Sequence, residues 1–235
     1  MQILYNIDSE SSSICIAQAA LLVSHTLSPS TASIKELNTT WLTLAIHHAE
    51  IAEAPYYDSF QTSLATAGTG SRKLRSTLKR LWWCCIIGDA VHSLCSRRRI
   101  LINRRRFDFA SHAPLRFGDL EDEIEHSKVY CGRIKRQSIR VFEKFAELCV
   151  VLTNILRLVY PLDERRPGGL CISATSTSTA KSSLRLWENS ASTLFHAIMS
   201  SCREAPEISA DSSSGESCEL VKLHLSLMEI YYRST

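Results

Sequence analysis

Glycine and proline are scarce in this chain. Its 235 residues include eight glycines and six prolines, while 45% of the residues are hydrophobic and 22% are charged. That balance is typical of an ordered globular protein, and the shortage of turn residues favours helices over a turn-rich β-sandwich. We predict an all-α fold, a single irregular domain of about six to eight helices with a long central helix.

Long apolar runs are also missing. The longest, residues 148–156, contains Thr153 and Asn154 and falls well short of the roughly 20 residues that span a bilayer. Residues 1–7 have no basic segment of the kind that opens a secretory signal. We therefore expect no membrane partner.

Charge of one sign is in excess only locally. The net charge of +3 is too small to make the whole surface a polyanion binder. Six arginines nevertheless lie within ten positions, and an acidic stretch, residues 119–125, follows them. We favour a solvated, partly ion-paired surface; a nuclear-import or phosphate patch and non-specific nucleic-acid contact remain open. The arginines are Arg97, Arg98, Arg99, Arg104, Arg105 and Arg106.

The nine cysteines include no Cys-x2-Cys pair. Zinc clusters need such spacing so that neighbouring thiolates can reach one ion, and we therefore expect no metal or other cofactor in this chain. An odd number of cysteines scattered on apolar helix faces indicates small buried side chains in a reducing compartment. Cytosol and nucleus both fit.

Apolar residues spaced three and four apart predict six helices. The first has about fourteen residues, capped by the serines at positions 11–13, and the second ends before Pro55. The others cover about residues 71–95, 134–160, 182–204 and 217–235, the 134–160 helix being about 40 Å long. We expect residues 1–160 to form a helical core, residues 161–181 a flexible linker and residues 182–235 the C-terminal helices.

The third helix has the most informative sequence. Residues 81–87 are apolar on every side, which predicts a central helix enclosed by neighbours. Trp82 and Trp83 point about 100° apart, so both can fill the core or one can line an effector pocket. The predicted buried stripe of this helix is Leu74, Leu78, Leu81, Cys85 and His92, and that of the second helix is Leu37, Trp41, Leu44, His48 and Ile51.

Two groups of polar residues on these helices allow more than one interpretation. We expect Asp89 to pair with an arginine such as Arg98 and to hold its helix to the following loop, because burying it unpaired would be costly. The alternative is a nucleophile with its base, drawn from Asp89 and His92 with Cys85 or Ser93 nearby. His47 and Glu50 offer two metal donors, but two donors do not make a zinc site, and a structural role is favoured.

The order of these residues resembles the regulatory middle domain of fungal binuclear zinc cluster transcription factors, most closely the cutinase-regulator branch. Weaker likeness extends over most of the chain, through residues 16–24, 41–52, 141–161 and 184–187. The residues that carry the resemblance are Arg80, Leu81, Trp82, Trp83, Asp89, Ser93, Leu94, Arg98, Ile102, Asp108 with its flanking Phe107 and Phe109, and the acidic residues 119–125.

The chain departs from the family pattern at three places. The family's Asp-Arg pair is here Asp89-Ala90, and its Gly-Arg-Pro turn is here Arg97-Arg98-Arg99. The family's Gly-Leu-His-Arg after the second helix is here Glu53-Ala54-Pro55-Tyr56. Both glycines of the family pattern are therefore replaced by residues whose backbone is less permissive.

The resemblance implies a non-enzymatic role in regulating RNA polymerase II transcription in a fungal nucleus. It implies DNA contact only through a zinc cluster module, with its zinc, that is missing from these residues, and we expect the chain to be truncated at both ends. Implied partners are the transcription machinery or co-regulators, a second subunit in a homo- or heterodimer, and a small-molecule effector. Two alternatives remain: a zinc-less nuclear interaction partner, and a helical enzyme using Asp89 and His92.

Overall fold

The computed structural model describes residues 12–26, 32–59, 69–103, 106–126, 131–161 and 174–203. Within these residues all regular structure is helical and no strand occurs, which confirms the predicted all-α fold. The chain forms two compact units, Met1–His112 (unit 1) and Ala113–Thr235 (unit 2). The helices are α1 (Ser13–Thr26), α2 (Ala32–Ile51), α3 (Thr69–Ser96), α4 (Phe117–His126), α5 (Gly132–Val159) and α6 (Ala174–Arg203), with a 3-10 turn at Ala54–Tyr56.

In unit 1, helix α3 packs against α1 and α2. Residues 81–87 of α3 are buried except for the half-buried Cys84, as their all-round apolar sequence predicted. Gly88 brings the helices close together: a Cβ at this position would lie 3.2 Å from Cδ1 of Leu42 and 3.6 Å from Cδ1 of Leu21. The missing side chain therefore makes room for α1 and α2 where they approach α3.

Two residues of the predicted buried stripes lie on the surface. Ile51 is 54% exposed and Leu74 is 42% exposed, so both predictions are wrong. Each residue lies near one end of its helix. The face that α2 buries instead includes the small residues Ala45 and Ala49, which are fully covered and allow close approach of a neighbouring helix.

Helices α2 and α3 end in left-handed residues. Glu53, with φ of 57°, follows α2 and precedes the 3-10 turn that begins before Pro55, so the predicted end of this helix is confirmed. Arg97, with φ of 51°, follows α3. Its N–H donates to the Leu94 carbonyl at 3.3 Å and the next N–H donates to the Ser93 carbonyl at 3.0 Å, the hydrogen-bond pattern of a Schellman cap.

In unit 2, helix α5 packs against α4 and α6. It has 28 residues, as its apolar period predicted. Ile134 and Val141 of α5 form a buried cluster with Ile198 of α6. Trp187 of α6 donates its indole N–H to the Lys144 carbonyl at 2.8 Å.

Helix α6 begins at Ala174, so the prediction that residues 174–181 belong to a flexible linker is wrong. The serine and threonine run has little apolar surface to bury, which favours a loop, but these residues tolerate a helix when their hydroxyls bond to the preceding turn. The Thr179 hydroxyl donates to the Thr175 carbonyl at 2.9 Å. The rest of that linker, except for Pro161, and the predicted helix at 217–235 lie outside the described residues. No helix in the described part of the chain is long and apolar enough to cross a membrane.

Candidate functional site

Asp89 joins α3 to the loop that follows it. Its side chain is 2% exposed, and Oδ2 accepts the backbone N–H groups of Leu101 at 2.7 Å and Ile102 at 2.8 Å. Oδ1 forms an ion pair with the Arg98 guanidinium at 3.2 Å, which confirms the predicted pairing. The Ser93 hydroxyl lies 3.3 Å from the same oxygen. We call these five residues the Asp89 clamp.

The electrostatics of the Asp89 clamp combine opposing effects. Burial raises the pKa of Asp89 above the usual aspartate range, while the Ile102 amide, the Arg98 guanidinium and the Leu101 amide act in the opposite direction. The two amides and the guanidinium are donors with hydrogens aimed at the carboxylate, an arrangement that suits the ionised form. The clamp therefore compensates a buried charge and, in doing so, fixes residues 98–102 against α3.

An aromatic cluster lies beside the clamp in unit 1, formed by Tyr57, Trp82, Trp83, Phe107 and Phe109. The Phe107 ring meets each tryptophan edge-on with centroids 5.9 Å apart, and Phe109 follows at 5.2 Å from Phe107. Both tryptophans are fully buried, which confirms their predicted core role. The Trp83 indole donates to the Tyr57 hydroxyl at 3.3 Å, whereas the Trp82 indole N–H has no hydrogen-bond partner within the described residues.

Asp108 shapes the turn between the two phenylalanines and His112. Its exposed carboxylate accepts the Ala110 N–H at 3.0 Å and the Ser111 hydroxyl. The Ser111 hydroxyl and the Ala110 amide hold the pKa of Asp108 below its usual range. The ring of His112 contacts that of Phe107, with centroids 4.6 Å apart. Asp108 therefore organises the loop.

The arginine-rich segment is partly used by the fold. Arg98 belongs to the Asp89 clamp, and Arg106 pairs with Glu50 of α2 at 3.2 Å. Arg97 and Arg99 are exposed. The expected partly ion-paired surface is confirmed for Arg98 and Arg106, while Arg104 and Arg105 lie outside the described residues.

Asp89 and His92 do not form the nucleophile and base considered as an alternative. The Asp89 oxygens are held by the clamp, while the His92 ring bonds to the Ser24 carbonyl and lies 6.0 Å from the His25 ring. Burial raises the pKa of the nearby Cys85 thiol, which keeps it protonated. The carboxylate and the imidazole are therefore each engaged with other groups of unit 1.

The two candidate metal donors of α2 have other contacts in the structure. His47 packs edge-on against His48 at 5.5 Å, and Glu50 pairs with Arg106. Across the described ranges there is no group of three or more histidine, cysteine, aspartate or glutamate side chains that could hold a metal ion. The sequence offered His47 and Glu50 as two metal donors, and the structure brings no third donor to them among the described residues.

The other motif residues also lie on or beside α3. Leu81 is buried, Leu94 is half-buried, and the Arg80 guanidinium partly offsets the effect of burial, which raises the pKa of Cys84. Sequence reasoning missed Tyr57 and Leu101. Leu101 acts through its backbone N–H, a group that every residue except proline carries. The residue type at position 101 therefore gives no sign of this role.

Comparison with known proteins identifies no relative of this chain. No protein-family model matches the chain, and neither a curated protein nor a solved structure matches it significantly. The resemblance to the fungal regulatory domain therefore stays a prediction that rests on the residues themselves.

Proposed function

We propose that this chain is the regulatory middle domain of a fungal binuclear zinc cluster transcription factor. In this role it regulates RNA polymerase II transcription in the nucleus, in contact with the transcription machinery or co-regulators. DNA and zinc are bound by a separate zinc cluster module, since the nine cysteines of these residues have no zinc cluster spacing.

The observation that carries the proposal concerns two backbone angles. Glu53 and Arg97 are the two non-glycine residues with positive φ in the described part of the chain. These are also the two positions at which the family pattern has glycine, in Gly-Leu-His-Arg and Gly-Arg-Pro. A left-handed backbone is the conformation that glycine adopts at little cost. The correspondence drawn from the sequence thus coincides with a backbone requirement at two separate helix ends.

The placement of the other motif residues supports the same proposal. Trp82, Trp83, Asp89 and Ile102 are all buried, and together they fix the loop after α3 against that helix. A motif used in this way maintains a scaffold. A regulatory domain signals to an attached module whether an effector is bound. A scaffold whose loop is held by one buried carboxylate suits that task.

A reporter assay tests the proposed role. The full chain is fused to a heterologous DNA-binding domain in a fungal cell that carries a matching reporter gene. We expect reporter output to rise or fall relative to the DNA-binding domain alone, and the Trp82→Ala variant, whose core is disrupted, to lose that effect. Output equal to that of the DNA-binding domain alone, from a folded fusion present in the nucleus, would contradict the proposal.

Nuclear entry is tested separately with the full chain fused to a reporter protein too large to diffuse through nuclear pores. The variant replaces Arg97, Arg99, Arg104 and Arg105 by glutamine and keeps the two arginines of the folded ion pairs. An import role for the arginine-rich segment predicts the parent fusion in the nucleus and the variant in the cytosol. The same distribution for both fusions would assign no import role to this segment.

A further inference from the structure

A cleft of about 250 Å³ lies in unit 1 between α2 and the loop after α3. Its apolar part is formed by the buried Ile46 and the half-buried Leu101. Its polar part comes from side chains of both charge signs. The lining residues are Thr43, Ile46, His47, Glu50, Leu101 and Arg106.

The charged part of the cleft is a single ion pair between its two walls. Glu50 on α2 meets the Arg106 guanidinium at 3.2 Å, and both side chains remain partly exposed. The position of Arg106 is fixed from its own side of the cleft. Its N–H and that of Phe107 both donate to the Asn103 carbonyl, at 2.9 Å and 3.0 Å, and Phe107 is buried in the aromatic cluster. The two opposite charges are therefore presented by backbone that the core holds in place.

We propose that this cleft binds a compact zwitterion, an α-amino acid with an aliphatic side chain. The carboxylate carbon and the ammonium nitrogen of such a ligand are two bonds apart, so the ligand replaces the direct contact between Glu50 and Arg106, whose partly exposed side chains separate while their backbone stays in place. Its carboxylate accepts from Arg106 and its ammonium donates to Glu50. A simple anion would meet Glu50, and a simple cation would meet Arg106, so neither matches both charges.

The remaining lining restricts the ligand further. An aliphatic side chain covers Ile46 and Leu101 and removes their apolar surface from water. The Thr43 hydroxyl donates to the Thr39 carbonyl at 2.8 Å, so it faces a ligand as an acceptor and suits the ammonium group. The volume lies below the range of about 300 to 1,000 Å³ that is typical of larger organic ligands, which restricts the site to small molecules.

The cleft is connected to the Asp89 clamp through one residue. Leu101 contributes to the cleft with its side chain and donates its backbone N–H to Asp89 Oδ2 at 2.7 Å. A ligand that packs on Leu101 restrains the residue that the clamp holds, and so binding is linked to the loop after α3. Only the biological meaning of this link, an effector site, rests on the proposed regulatory function.

Isothermal titration calorimetry on the full chain tests the ligand class, with L-leucine as the probe. The matched compounds are 3-methylbutylamine, which lacks the carboxylate, and 4-methylpentanoate, which lacks the ammonium. We expect leucine to bind. Each analogue should bind at least about tenfold more weakly than leucine, because one charged wall is then left without a partner. No heat of binding with leucine, or equal affinity for an analogue, would overturn the proposal.

Variants of the chain test the location. Glu50→Gln and Arg106→Gln should each weaken leucine binding about tenfold or more. The charge-matched controls Glu121→Gln and Arg116→Gln, both at exposed positions of unit 2, should keep the parent affinity. Unchanged affinity in both cleft variants would place any leucine site elsewhere and overturn this assignment.

Hydrogen exchange tests the link to the clamp. Bound leucine should slow exchange of the Leu101 amide, and unchanged exchange at saturating leucine would overturn the link. The reporter assay of the proposed function needs no added ligand, so its result is independent of these measurements. If leucine does not bind but the reporter assay still shows an effect of the chain, only the proposed amino-acid site is overturned and the proposed function stands.

Discussion

Unit 1 and unit 2 hold their helices together in different ways. In unit 1, the Asp89 clamp and the aromatic cluster join α3 to residues 98–102 and 107–109 through hydrogen bonds, an ion pair and ring contacts. In unit 2, α5 and α6 meet mainly through apolar side chains repeated along each helix, with Val141 and Ile198 among those buried. Polar contacts between these two helices include two made by Lys144, through its side chain to Ser190 and through its carbonyl to Trp187.

The difference teaches how each unit is specified. Apolar helix faces tolerate substitutions that conserve volume, because the stabilising effect depends mainly on buried area. The Asp89 clamp tolerates less, because a buried carboxylate needs every donor in place. Residues 98–102 therefore have one position against α3 although they form no helix or strand. Substitutions that remove a directional contact should affect unit 1 more than matched substitutions affect unit 2.

The largest effect is expected from Trp82→Ala. Trp82 of α3 is fully buried and packs edge-on against Phe107, so its removal leaves a cavity and should lower the free energy of unfolding by about 3 to 5 kcal/mol. Urea denaturation followed by circular dichroism measures this loss. Leu186→Ala, at a position of unit 2 that is 71% exposed, should cost less than about 0.5 kcal/mol. Similar losses for both variants would contradict the enclosed position of Trp82.

The next effect separates a buried acid from an exposed one. Asp89→Ala should lower the free energy of unfolding by about 3 kcal/mol, because two backbone N–H groups and the Arg98 guanidinium lose their acceptor. Glu147→Ala removes the Lys144 ion pair in unit 2, whose glutamate is partly exposed, and should cost less than about 1 kcal/mol. Denaturation at one pH and salt concentration compares the two variants. Equal costs would mean that the clamp adds little to stability.

Much of unit 2 could be predicted because it follows a period. The spacing of apolar residues from Ile134 onward predicted a helix of 25 to 30 residues, and α5 has 28. The start of α6 could not be predicted in this way, since the serine and threonine run near Thr179 has no apolar period. Its hydroxyls bond within the helix, and that preference depends on the surrounding structure.

The site in unit 1 was predictable only in part. The pairing of Asp89 with Arg98 followed from the cost of a buried charge and from their closeness in the chain. The Leu101 and Ile102 amides could not be foreseen as partners, since backbone groups leave no mark on the sequence. The pairing of Glu50 with Arg106 joins positions 56 residues apart, and no pattern within the chain brings them together.

A smaller and opposite effect is expected at the two left-handed residues. Arg97→Gly and Glu53→Gly should each raise the free energy of unfolding by about 0.5 to 1 kcal/mol, because glycine adopts positive φ without a Cβ clash. Glu121→Gly, in the right-handed helix α4, should instead cost about 1 kcal/mol. Thermal denaturation compares all three. Destabilisation by both of the first two variants would show that their side chains matter more than their backbone angle, and would weaken the likeness to the family turns.

The smallest effect concerns pH and again distinguishes the units. Burial lowers the pKa of His25 and of His92 below the ordinary 6.5, and for His92 the nearby His25 and Arg98 act in the same direction. The two imidazoles therefore bind protons more readily in the unfolded chain than in the folded chain. The free energy of unfolding is thus highest above about pH 6.5 and declines as the pH falls below that value. Unfolding midpoints between about pH 7.5 and about pH 5.5 should fall less in the His25→Gln, His92→Gln double variant than in the parent chain. His196→Gln, at an exposed position of α6, should retain the parent profile. A double variant with the parent profile would mean that contact between α1 and α3 does not depend on neutral imidazoles, and the pH response would then arise from other groups such as His48, whose pKa burial also lowers.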